Sequence, residues 1–475
     1  MTDSDLAFRP AFQLSALIAS KQLSPVELTE LYLQRIDELD SQLNSYLTLD
    51  RDGAMKAAEE AEQAVIRGDD LGPLHGLPIS IKDLELTKGI RTTSGSLAYK
   101  DRIPDEDTIV VERVRAAGAI VLGKTNASEF GMLGAGENRL GDHCRNPWNT
   151  ERTTGASSAG AGAAEAAGLC ALATGSDGGG SIRIPSSFCG LFGIKPTQGR
   201  VPGYSGASSP ILPNLFAQSG PMTRTVRDAV MLFQVLAGHD ARDPSSMREP
   251  VPDFEAALGR DIKGLTIGWS PRFGYAVVDP EVAEITSTAA RVFEELGCSV
   301  DESDLVFDVP FKTWWALALA SQQINHSQLL ETHSDELTWY MREVLEAARD
   351  LSLEDYLRAL GHRDVMRWQM EGQFEKFDLL MSPTMPTPAF PVDQYPEEIG
   401  GIRTEPSPHW GFLPFTHPIN TVGYTAATVP CGFSSDGLPI GLQIIGHEGD
   451  EETVLAASAA FERARPWVEH RPPVS

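Results

Sequence analysis

The sequence predicts an α/β protein, and three observations support that class. Of its 475 residues, 41% are hydrophobic and 22% are charged, a balance typical of a globular protein. Segments with helical periodicity alternate with short segments typical of strands, which favours helices packed on a sheet. No repeat or low-complexity linker interrupts the chain, so we predict one domain over residues 1–475, although the length would allow two or three.

The first long helix is predicted to begin at Pro25. Ser24 precedes it as a typical N-cap, and proline is well suited to the first helical position. The apolar residues that follow recur at near-helical spacing and predict one buried face: Leu28, Leu31, Ile36, Leu39 and Leu43. A second helix is predicted over Ala54–Ile66, ending at Gly68.

A strand is predicted over Leu77–Asp83, where the residues alternate in character. Pro78 is acceptable there because proline is tolerated at the first position of a strand. Further along, Thr108–Ala117 is predicted to be a helix and Ala119–Leu122 a strand. This continued alternation supports the α/β class.

Two later regions differ from the rest in composition. Gly155–Arg200 is rich in Gly, Ala and Ser, and its alanines predict a buried helix between two glycine turns. From Phe311 to Met370 the chain is predicted to be helical, and we expect most of its Trp and Tyr residues to lie in the core. The proline-rich segment Ser382–Pro388 is predicted to be a loop.

The charge, the apolar runs and the cysteine content of the chain limit which binding partners and which cellular location are expected. The chain has 39 Lys and Arg against 66 Asp and Glu, and the net charge of −27 disfavours nucleic acid as a partner. No apolar run is long enough to span a bilayer, and the acidic N-terminus lacks the features of a secretory signal. The five cysteines are odd in number and far apart, so we expect free thiols, a cytoplasmic location and no membrane partner.

Several standard sites are excluded by inspection. The glycines form neither a Gly-x-x-x-x-Gly-Lys-Ser/Thr loop nor a Gly-x-Gly-x-x-Gly motif, because Glu165 occupies the last position of the nearest match. The chain contains no His-Glu-x-x-His and no Cys-x-x-Cys, and neither Ser157 nor Ser181 lies in a Gly-x-Ser-x-Gly elbow. We therefore predict no metal and no cofactor.

One lysine and one glycine-rich turn carry the chemistry that remains. Lys82 follows apolar strand residues, and a desolvated lysine can lose its proton near neutral pH and act as a base. Gly178–Gly180 precede Ser181, so successive backbone N–H groups can converge there on one oxyanion. Taken singly, a strand lysine is more often a surface residue and a glycine run more often a turn.

Together, and in this order, these features resemble the amidase signature family. The resemblance covers nearly the whole chain, and its motifs are specific. The matching segments are Gly76–Asp83, Asn146–Trp148, Gly155–Gly160, Gly175–Ser186, Phe188–Thr197, Val429–Phe433 and Gly437–Gln443. The resemblance implies a central mixed β-sheet covered by helices on both faces, with a signature core over about residues 76–200 and a substrate-covering region over about residues 311–390.

The resemblance also implies a Ser-cis-Ser-Lys triad. Ser181 would be the nucleophile, Ser157 the serine that follows a cis peptide bond, and Lys82 the general base. The oxyanion would be held by the backbone N–H groups of Gly178, Gly179, Gly180 and Ser181. No cofactor takes part in this chemistry.

Further positions are assigned by the same resemblance. Gly131 and Met132 would lie beside the scissile group of the substrate. Four residues would orient the catalytic loop, with a plain structural ion pair as the alternative for the last two: Ser158, Ser176, Asp177 and Arg183. One departure from the family is that alanine replaces glycine at Ala156 and Ala159, which is tolerable where φ is negative.

The implied function is an amidase that hydrolyses a carboxylic amide, and the same acyl chemistry extends to esters and carbamates. The alternative is the amidase subunit of a glutamine-dependent aminoacyl-tRNA amidotransferase, and a third hypothesis is a binding protein without catalysis. Against the alternative, Glu129–Ala135 resembles the apolar pocket segment of small-molecule amidases, and retention of the three catalytic positions disfavours the third hypothesis. The Trp and Met content of Phe311–Pro388 favours an apolar or aryl small-molecule amide as substrate, and a homodimer is compatible with these expectations.

Overall fold

A mixed sheet of 11 strands forms the centre of the protein, as seen in a computed structural model that describes residues 3–204, 206, 214–308 and 310–475. The strand order is β1-β3-β2-β6-β8-β7-β14-β15-β11-β9-β10. The strands, including four outside this sheet, are β1 (Tyr46–Leu49), β2 (Pro78–Lys82), β3 (Ile120–Thr125), β4 (Arg145–Asn146), β5 (Asn149–Thr153), β6 (Leu172–Asp177), β7 (Phe192–Lys195), β8 (Gln218–Thr223), β9 (Thr266–Trp269), β10 (Ser299–Glu302), β11 (Leu379–Pro383), β12 (Glu398–Ile399), β13 (Ile402–Arg403), β14 (Ala426–Phe433) and β15 (Pro439–Gly446).

Helices flank this sheet, which confirms the predicted α/β class and its mixed central sheet. The helices are α1 (Asp3–Ala7), α2 (Ala11–Ala19), α3 (Pro25–Leu43), α4 (Arg51–Arg67), α5 (Ile109–Ala116), α6 (Ala159–Ala166), α7 (Arg183–Cys189), α8 (Val226–Leu236), α9 (Phe254–Ala257), α10 (Pro280–Glu295), α11 (Pro310–His326), α12 (Leu329–Thr332), α13 (Trp339–Asp350), α14 (Leu353–Phe374), α15 (His417–Val422) and α16 (Glu451–Ala464).

Strand direction at one part of the sheet brings the signature segments together. β2 lies between β3 and β6 and is parallel to both, so all three strands end at the same edge. Lys82 is the last residue of β2, and Asp177 is the last residue of β6. Two segments almost a hundred positions apart in sequence therefore place their polar ends side by side.

Most predicted elements form, with bounds that shift by a few residues. α3 begins at Pro25, and the Ser24 hydroxyl accepts hydrogen bonds from two backbone N–H groups of its first turn. α4 begins three residues earlier than predicted because Asp50 caps it, and it ends at Gly68, whose φ is +78°. β2 covers the predicted strand except its two outer residues, Leu77 and Asp83.

The predicted loop at Ser382–Pro388 is partly wrong. Its first two residues belong to β11, whose backbone pairs with the buried strand β15. Pro383 is the last residue of β11, a terminal position at which a missing N–H costs the ladder little. The prediction that most Trp and Tyr residues of Phe311–Met370 lie in the core is only partly right. Trp314 and Tyr340 are buried and Trp368 is 75% exposed, while three are half-buried: Trp315, Trp339 and Tyr356.

The cysteine prediction is confirmed, because all five thiols are free. None of the helices in the described part of the chain is both long and apolar enough to cross a bilayer. The cytoplasmic location stays a prediction.

Candidate active site

Lys82 is fully buried at the carboxyl end of β2 and contacts two serines. Its Nζ lies 2.8 Å from Oγ of Ser157, and it lies 3.0 Å from both the hydroxyl and the carbonyl oxygen of Ser176. Burial is the main reason that its pKa falls to about 7, although the negative charges of Asp177 and Glu85 oppose the shift. A large fraction of this amine is therefore neutral near neutral pH, which is the state a general base requires.

The segment that carries Ser157 has the geometry that the resemblance implies. The peptide bond between Ala156 and Ser157 is cis. Neither Ala156 nor Ala159 has a positive φ, so the two alanines fit where the motif of the resembled family has glycine. Gly155, by contrast, has a φ of +71°.

Gly160 is required for a different reason. A Cβ atom at this position would lie 2.0 Å from the carbonyl oxygen of Ser45 and 2.3 Å from the backbone nitrogen of Asn126. Only glycine allows the first turn of α6 to approach these two backbone groups so closely. The two glycines that this chain keeps in Gly155–Gly160 are thus those that the backbone needs.

Ser158 and Ser176 connect the two serine-bearing segments. The Ser158 hydroxyl donates to the Ser176 carbonyl oxygen and accepts from the Ser176 backbone N–H, each at 3.3 Å. Ser158 is the N-cap of α6, but its side chain makes no capping bond because it is engaged in this pair. These contacts fix the end of β6 against the start of α6, beside the Lys82 amine.

Ser181 follows the glycine run and is 7% exposed. The Ser158 N–H donates to its carbonyl oxygen at 3.3 Å, which brings the two serine segments together. Its hydroxyl makes no hydrogen bond with any described residue, including Ser157. Ser157 and Ser181 line one cavity, and the buried Lys82 is connected to it by its hydrogen bond to Ser157, which is the only direct hydrogen bond among these three described side chains.

Gly180 does not fit the predicted set of oxyanion donors. Its N–H donates to Oδ1 of Asp177 at 2.7 Å, so this donor is already engaged. The N–H groups of Gly178, Gly179 and Ser181 make no hydrogen bond with a described residue. The Asp177 carboxylate thus uses the Gly180 N–H to stabilise the loop, and this N–H is not available to bind an oxyanion.

Asp177 and Arg183 form a fully buried ion pair that also organises the loop. The guanidinium reaches both carboxylate oxygens, at 2.9 and 3.0 Å, and Asp177 also accepts from the N–H groups of Gly180, Ile182 and Arg183. Burial opposes the charge of Asp177, yet Arg183 holds the pKa of that carboxyl at about 2.

The remaining hydrogen bonds of the Arg183 guanidinium go to Gln443, Thr416 and Asn420. The two interpretations of this pair, structural and loop-orienting, therefore coincide.

Two residues that the motifs do not identify hold the glycine run from outside. The indole N–H of Trp314 donates to the carbonyl oxygen of Gly178 at 2.7 Å. The hydroxyl of Thr416 donates to the carbonyl oxygen of Gly179 at the same distance. Each bond fixes the plane of one peptide of the run. Trp314 lies on α11, 133 positions after Ser181, so no local pattern could have linked the two.

A cavity of about 1440 Å³ opens over these groups. Ser157, Ser181, Gly131 and Met132 all line it, so the predicted substrate-binding pair lies at the same site. A Cβ atom on Gly131 would lie 3.2 Å from the Ser157 hydroxyl, so glycine at this position leaves room beside the hydroxyl. α11 covers the cavity with Trp314 and the residues that follow it.

One group of potential metal ligands occurs among the described residues, away from the three candidate catalytic side chains. It consists of Glu137, His143 and Asp393, whose ligand atoms lie within 4.8 Å of one another. His143 pairs with Asp393 at 2.8 Å, and Glu137 accepts hydrogen bonds from the side chains of Trp339 and Tyr395. His143 and Asp393 thus satisfy each other, Glu137 has partners outside the cluster, and nothing in the cluster points to an ion.

Comparison with known proteins agrees with this geometry. The Amidase family model matches residues 27–455. An acylamidase from Rhodococcus erythropolis is 38% identical, over 99% of this chain and 98% of its own length. A glutamyl-tRNA(Gln) amidotransferase subunit from Moorella thermoacetica is also 38% identical, over 98% of this chain and 99% of its own length.

A solved structure gives the same result. The crystal structure of a bacterial aryl acylamidase of the amidase signature family matches with a TM-score of 0.89 and 32% identity, covering 97% of each chain. The chain is thus similar to known amidase signature proteins over nearly its full length, in addition to sharing the motifs described above. The chain therefore belongs to the amidase signature family and is a hydrolase of amide carbon–nitrogen bonds.

Proposed function

We propose that this protein is an amidase that cleaves small carboxylic amides through a Ser181 acyl-enzyme. The observation that carries the proposal is the position of Lys82, fully buried, with a pKa of about 7 and its Nζ 2.8 Å from the hydroxyl of Ser157, which lines the same cavity as Ser181. A buried lysine that serves as a charged structural group is usually paired with a carboxylate. Lys82 instead contacts hydroxyl and carbonyl groups, which suit a neutral amine.

In the first step, Ser181 Oγ attacks the carbonyl carbon of the amide. Its proton passes through the Ser157 hydroxyl to the neutral amine of Lys82, so that no charged alkoxide has to form in the buried site. Ser157 is suited to a relay because one hydroxyl both donates and accepts. We infer that the two hydroxyls come into hydrogen-bond contact in the substrate complex.

The tetrahedral intermediate places negative charge on the former carbonyl oxygen. The backbone N–H groups of Gly179 and Ser181, with that of Gly178 nearby, are the donors for this oxygen, and each is worth about 3 kcal/mol in related sites. The Trp314 side chain holds the carbonyl of the peptide that carries the Gly179 N–H, which keeps this donor in place before substrate binds. Thr416 holds the next peptide, whose N–H belongs to Gly180 and is engaged by Asp177.

Collapse of the intermediate breaks the carbon–nitrogen bond. The proton held by Lys82 returns through Ser157 to the leaving nitrogen, which departs as a neutral amine. Water then attacks the Ser181 ester by the same relay, releasing the carboxylic acid and restoring the free hydroxyl. The same sequence of steps serves esters and carbamates.

The cavity favours an apolar or aryl substrate. Close to the catalytic side chains it is lined by Phe130, Met132, Leu133 and Trp314, which supply apolar and aromatic contact area. This lining supports an aryl or alkyl amide more than a free amino-acid amide such as glutamine.

A second candidate function has one observation in its favour. The identity to an amidotransferase subunit equals that to an acylamidase, so the alternative is an amidase subunit that releases ammonia from glutamine within a complex. Gel filtration of the protein alone and with candidate partner proteins, together with a glutaminase assay, tests it. Glutamine turnover that depends on a partner would favour this alternative over the stand-alone amidase.

The direct test of the first proposal is chemical. Purified protein is mixed with 4-nitroanilides of acetate, butyrate and benzoate, and release of 4-nitroaniline is followed with esters and carbamates in parallel. Rapid acid quenching and peptide mass spectrometry then locate the acyl group. Acylation of the Ser181 peptide supports the proposal, whereas turnover with no acyl group on that peptide contradicts it.

A further inference from the structure

Arg102 lines the same cavity that holds Ser157 and Ser181. Its Nε–H donates to the carbonyl oxygen of Thr92 at 2.9 Å, and its Nη2 donates to the hydroxyl of Ser94 at 2.7 Å. Nη1 donates to no described residue. A guanidinium has five N–H donors, so several remain available in this cavity.

The charge of Arg102 has no close counterpart. Among the described residues, no carboxylate forms an ion pair with this guanidinium. Asp83 contributes only a longer-range attraction. Burial lowers the pKa of Arg102, which means that the protein environment as it stands opposes the charged form. Arg102 is therefore a half-buried arginine to which the described part of the chain offers no acidic partner, in a protein with a net charge of −27.

A second arginine in the cavity lining shows the contrast. Arg242 pairs with Asp240 at 2.9 Å and with Glu112 at 2.6 Å, so its charge is neutralised by the protein. The two arginines share a cavity and differ in whether the chain supplies their counter-charge.

Aromatic rings connect Arg102 to the catalytic end of the cavity. Its guanidinium carbon lies 4.4 Å from the centre of the Tyr99 ring, and that ring is 5.7 Å from the ring of Phe130. Phe130 precedes Gly131, which adjoins the Ser157 hydroxyl. A substrate that begins at Ser181 and extends past Phe130 therefore reaches Arg102 along an aromatic wall.

The group that faces Phe130 on its other side adds no competing charge. His326 stacks on the Phe130 ring with 3.9 Å between ring centres and lines the cavity. Burial and then the charge of Arg102 lower the pKa of His326 to about 4, so its imidazole is neutral at neutral pH. Its Nδ1 has no partner among the described residues.

We propose that Arg102 is a carboxylate-binding residue of the substrate site, and that the substrate is an amide carrying a carboxylate on the part that extends past Phe130. The planar guanidinium presents paired N–H donors that match the two oxygens of a carboxylate. This inference rests on the proposed amidase function, because it uses the same cavity and adds the chemical class of the distal group.

The test uses pairs of substrates that differ only in charge. One series consists of ω-carboxyacyl 4-nitroanilides of increasing chain length, and each is compared with the ω-carboxamide of the same length. A second series carries the carboxylate on the amine side, as acylated aminobenzoates compared with acylated aminobenzamides. For each pair, the ratio of kcat/KM for the carboxylate to that for the carboxamide is measured for the wild type, Arg102→Gln and Arg242→Gln.

We expect the wild type to favour the carboxylate in at least one series, at the chain length that reaches Arg102. Arg102→Gln should lower that ratio about 10-fold to 100-fold, since a hydrogen-bonded charge pair is lost. Arg242→Gln should keep the ratio, because Arg242 is already paired. A wild-type ratio near one in both series, or a ratio that Arg102→Gln leaves in place, would overturn the inference.

Failure of the proposed function would look different, because neither the carboxamides nor the carboxylates would then be hydrolysed. Calorimetric titration of the intact protein with the corresponding ω-carboxyacyl anilides separates the two cases. Binding that is weaker by a similar factor in Arg102→Gln supports the carboxylate site whatever the turnover. Equal binding of carboxylate and carboxamide to the wild type counts against it.

Discussion

The segments that hold the reacting groups and the helices that cover them differ in the contacts they make. Around Asp177 and Arg183, buried polar groups bond one another in a network that leaves little freedom of geometry. α11 and α13 instead pack over the cavity through a cluster of aliphatic and aromatic side chains, Trp314, Tyr340 and Met341 among them. Hydrogen bonds are directional and hydrophobic contacts are not, so the first region fixes chemistry while the second can vary with the substrate.

The largest loss of activity is expected in the polar region, from substitution of the proposed nucleophile Ser181. Ser181→Ala should lower turnover at least about 1000-fold, because it removes the atom that attacks the carbonyl. The hydroxyl contributes no hydrogen bond to the described part of the fold, so the melting temperature should change by no more than a few degrees. Turnover of a 4-nitroanilide and a thermal melt measure the two effects. A purified variant that keeps more than a few per cent of wild-type turnover would show that Ser181 is not the nucleophile.

The next largest effect concerns the charge state of Lys82. Its base form is the neutral amine, and the fraction in that form rises with pH through the pKa of about 7. Activity should therefore increase from pH 6 to pH 8 and then level off. A pH profile of kcat/KM, with a neutral substrate whose own ionisation does not interfere, measures this.

Lys82→Arg separates a base from a fixed charge. Arginine keeps the positive charge but does not release its proton at these pH values, so turnover should fall about 100-fold or more and the rise near pH 7 should vanish. Lys82→Met is the matched variant that also removes the charge. Wild-type activity in Lys82→Arg would mean that a positive charge is sufficient, and the general-base role would have to be abandoned.

The same contrast between regions explains how much could be predicted from the sequence. The strand ending at Lys82 and the helix after Ser24 could be predicted because each depends on residues a few positions apart. The serine segments could be predicted because their motifs resemble those of the amidase signature family. The engagement of Gly180 by Asp177 was missed because it depends on how the loop closes after β6. The roles of Trp314 and Thr416 were missed because their partners lie far away in the chain, where only tertiary packing connects them.

Substitutions at Gly160 and Ala159, two small residues of the segment Gly155–Gly160, should differ in their cost to the stability of the protein. Gly160→Ala should lower the free energy of unfolding by about 3 kcal/mol, since the new Cβ would overlap the Ser45 carbonyl and force the backbone apart. Ala159→Gly, which introduces the glycine of the family motif, should cost only about 1 kcal/mol through lost helix propensity. Denaturant titrations of both variants measure the difference. Equal costs would show that the close approach at Gly160 is not what requires glycine.

The smallest effect is expected where the covering region reaches into the polar one. Trp314→Phe keeps most of the ring but removes the N–H that donates to the Gly178 carbonyl, so the Gly178–Gly179 peptide loses its external support. A neutral hydrogen bond contributes about 1 kcal/mol, which predicts a loss of about fivefold in kcat. Because Trp314 acts by positioning a peptide that binds the developing oxyanion, KM should change much less than kcat.

The neighbouring Trp315 is the matched control for Trp314. It packs against Phe311 and Trp410, and its ring N–H donates to no described residue. Trp315→Phe therefore removes the same atoms without removing a bond to the glycine run. If Trp314 contributed only bulk to the cavity wall, Trp314→Phe would alter KM and, like Trp315→Phe, would leave kcat nearly unchanged. A fall in kcat confined to Trp314→Phe would instead show that a residue of α11, a helix whose other contacts are mainly apolar, helps to position the peptide that binds the oxyanion.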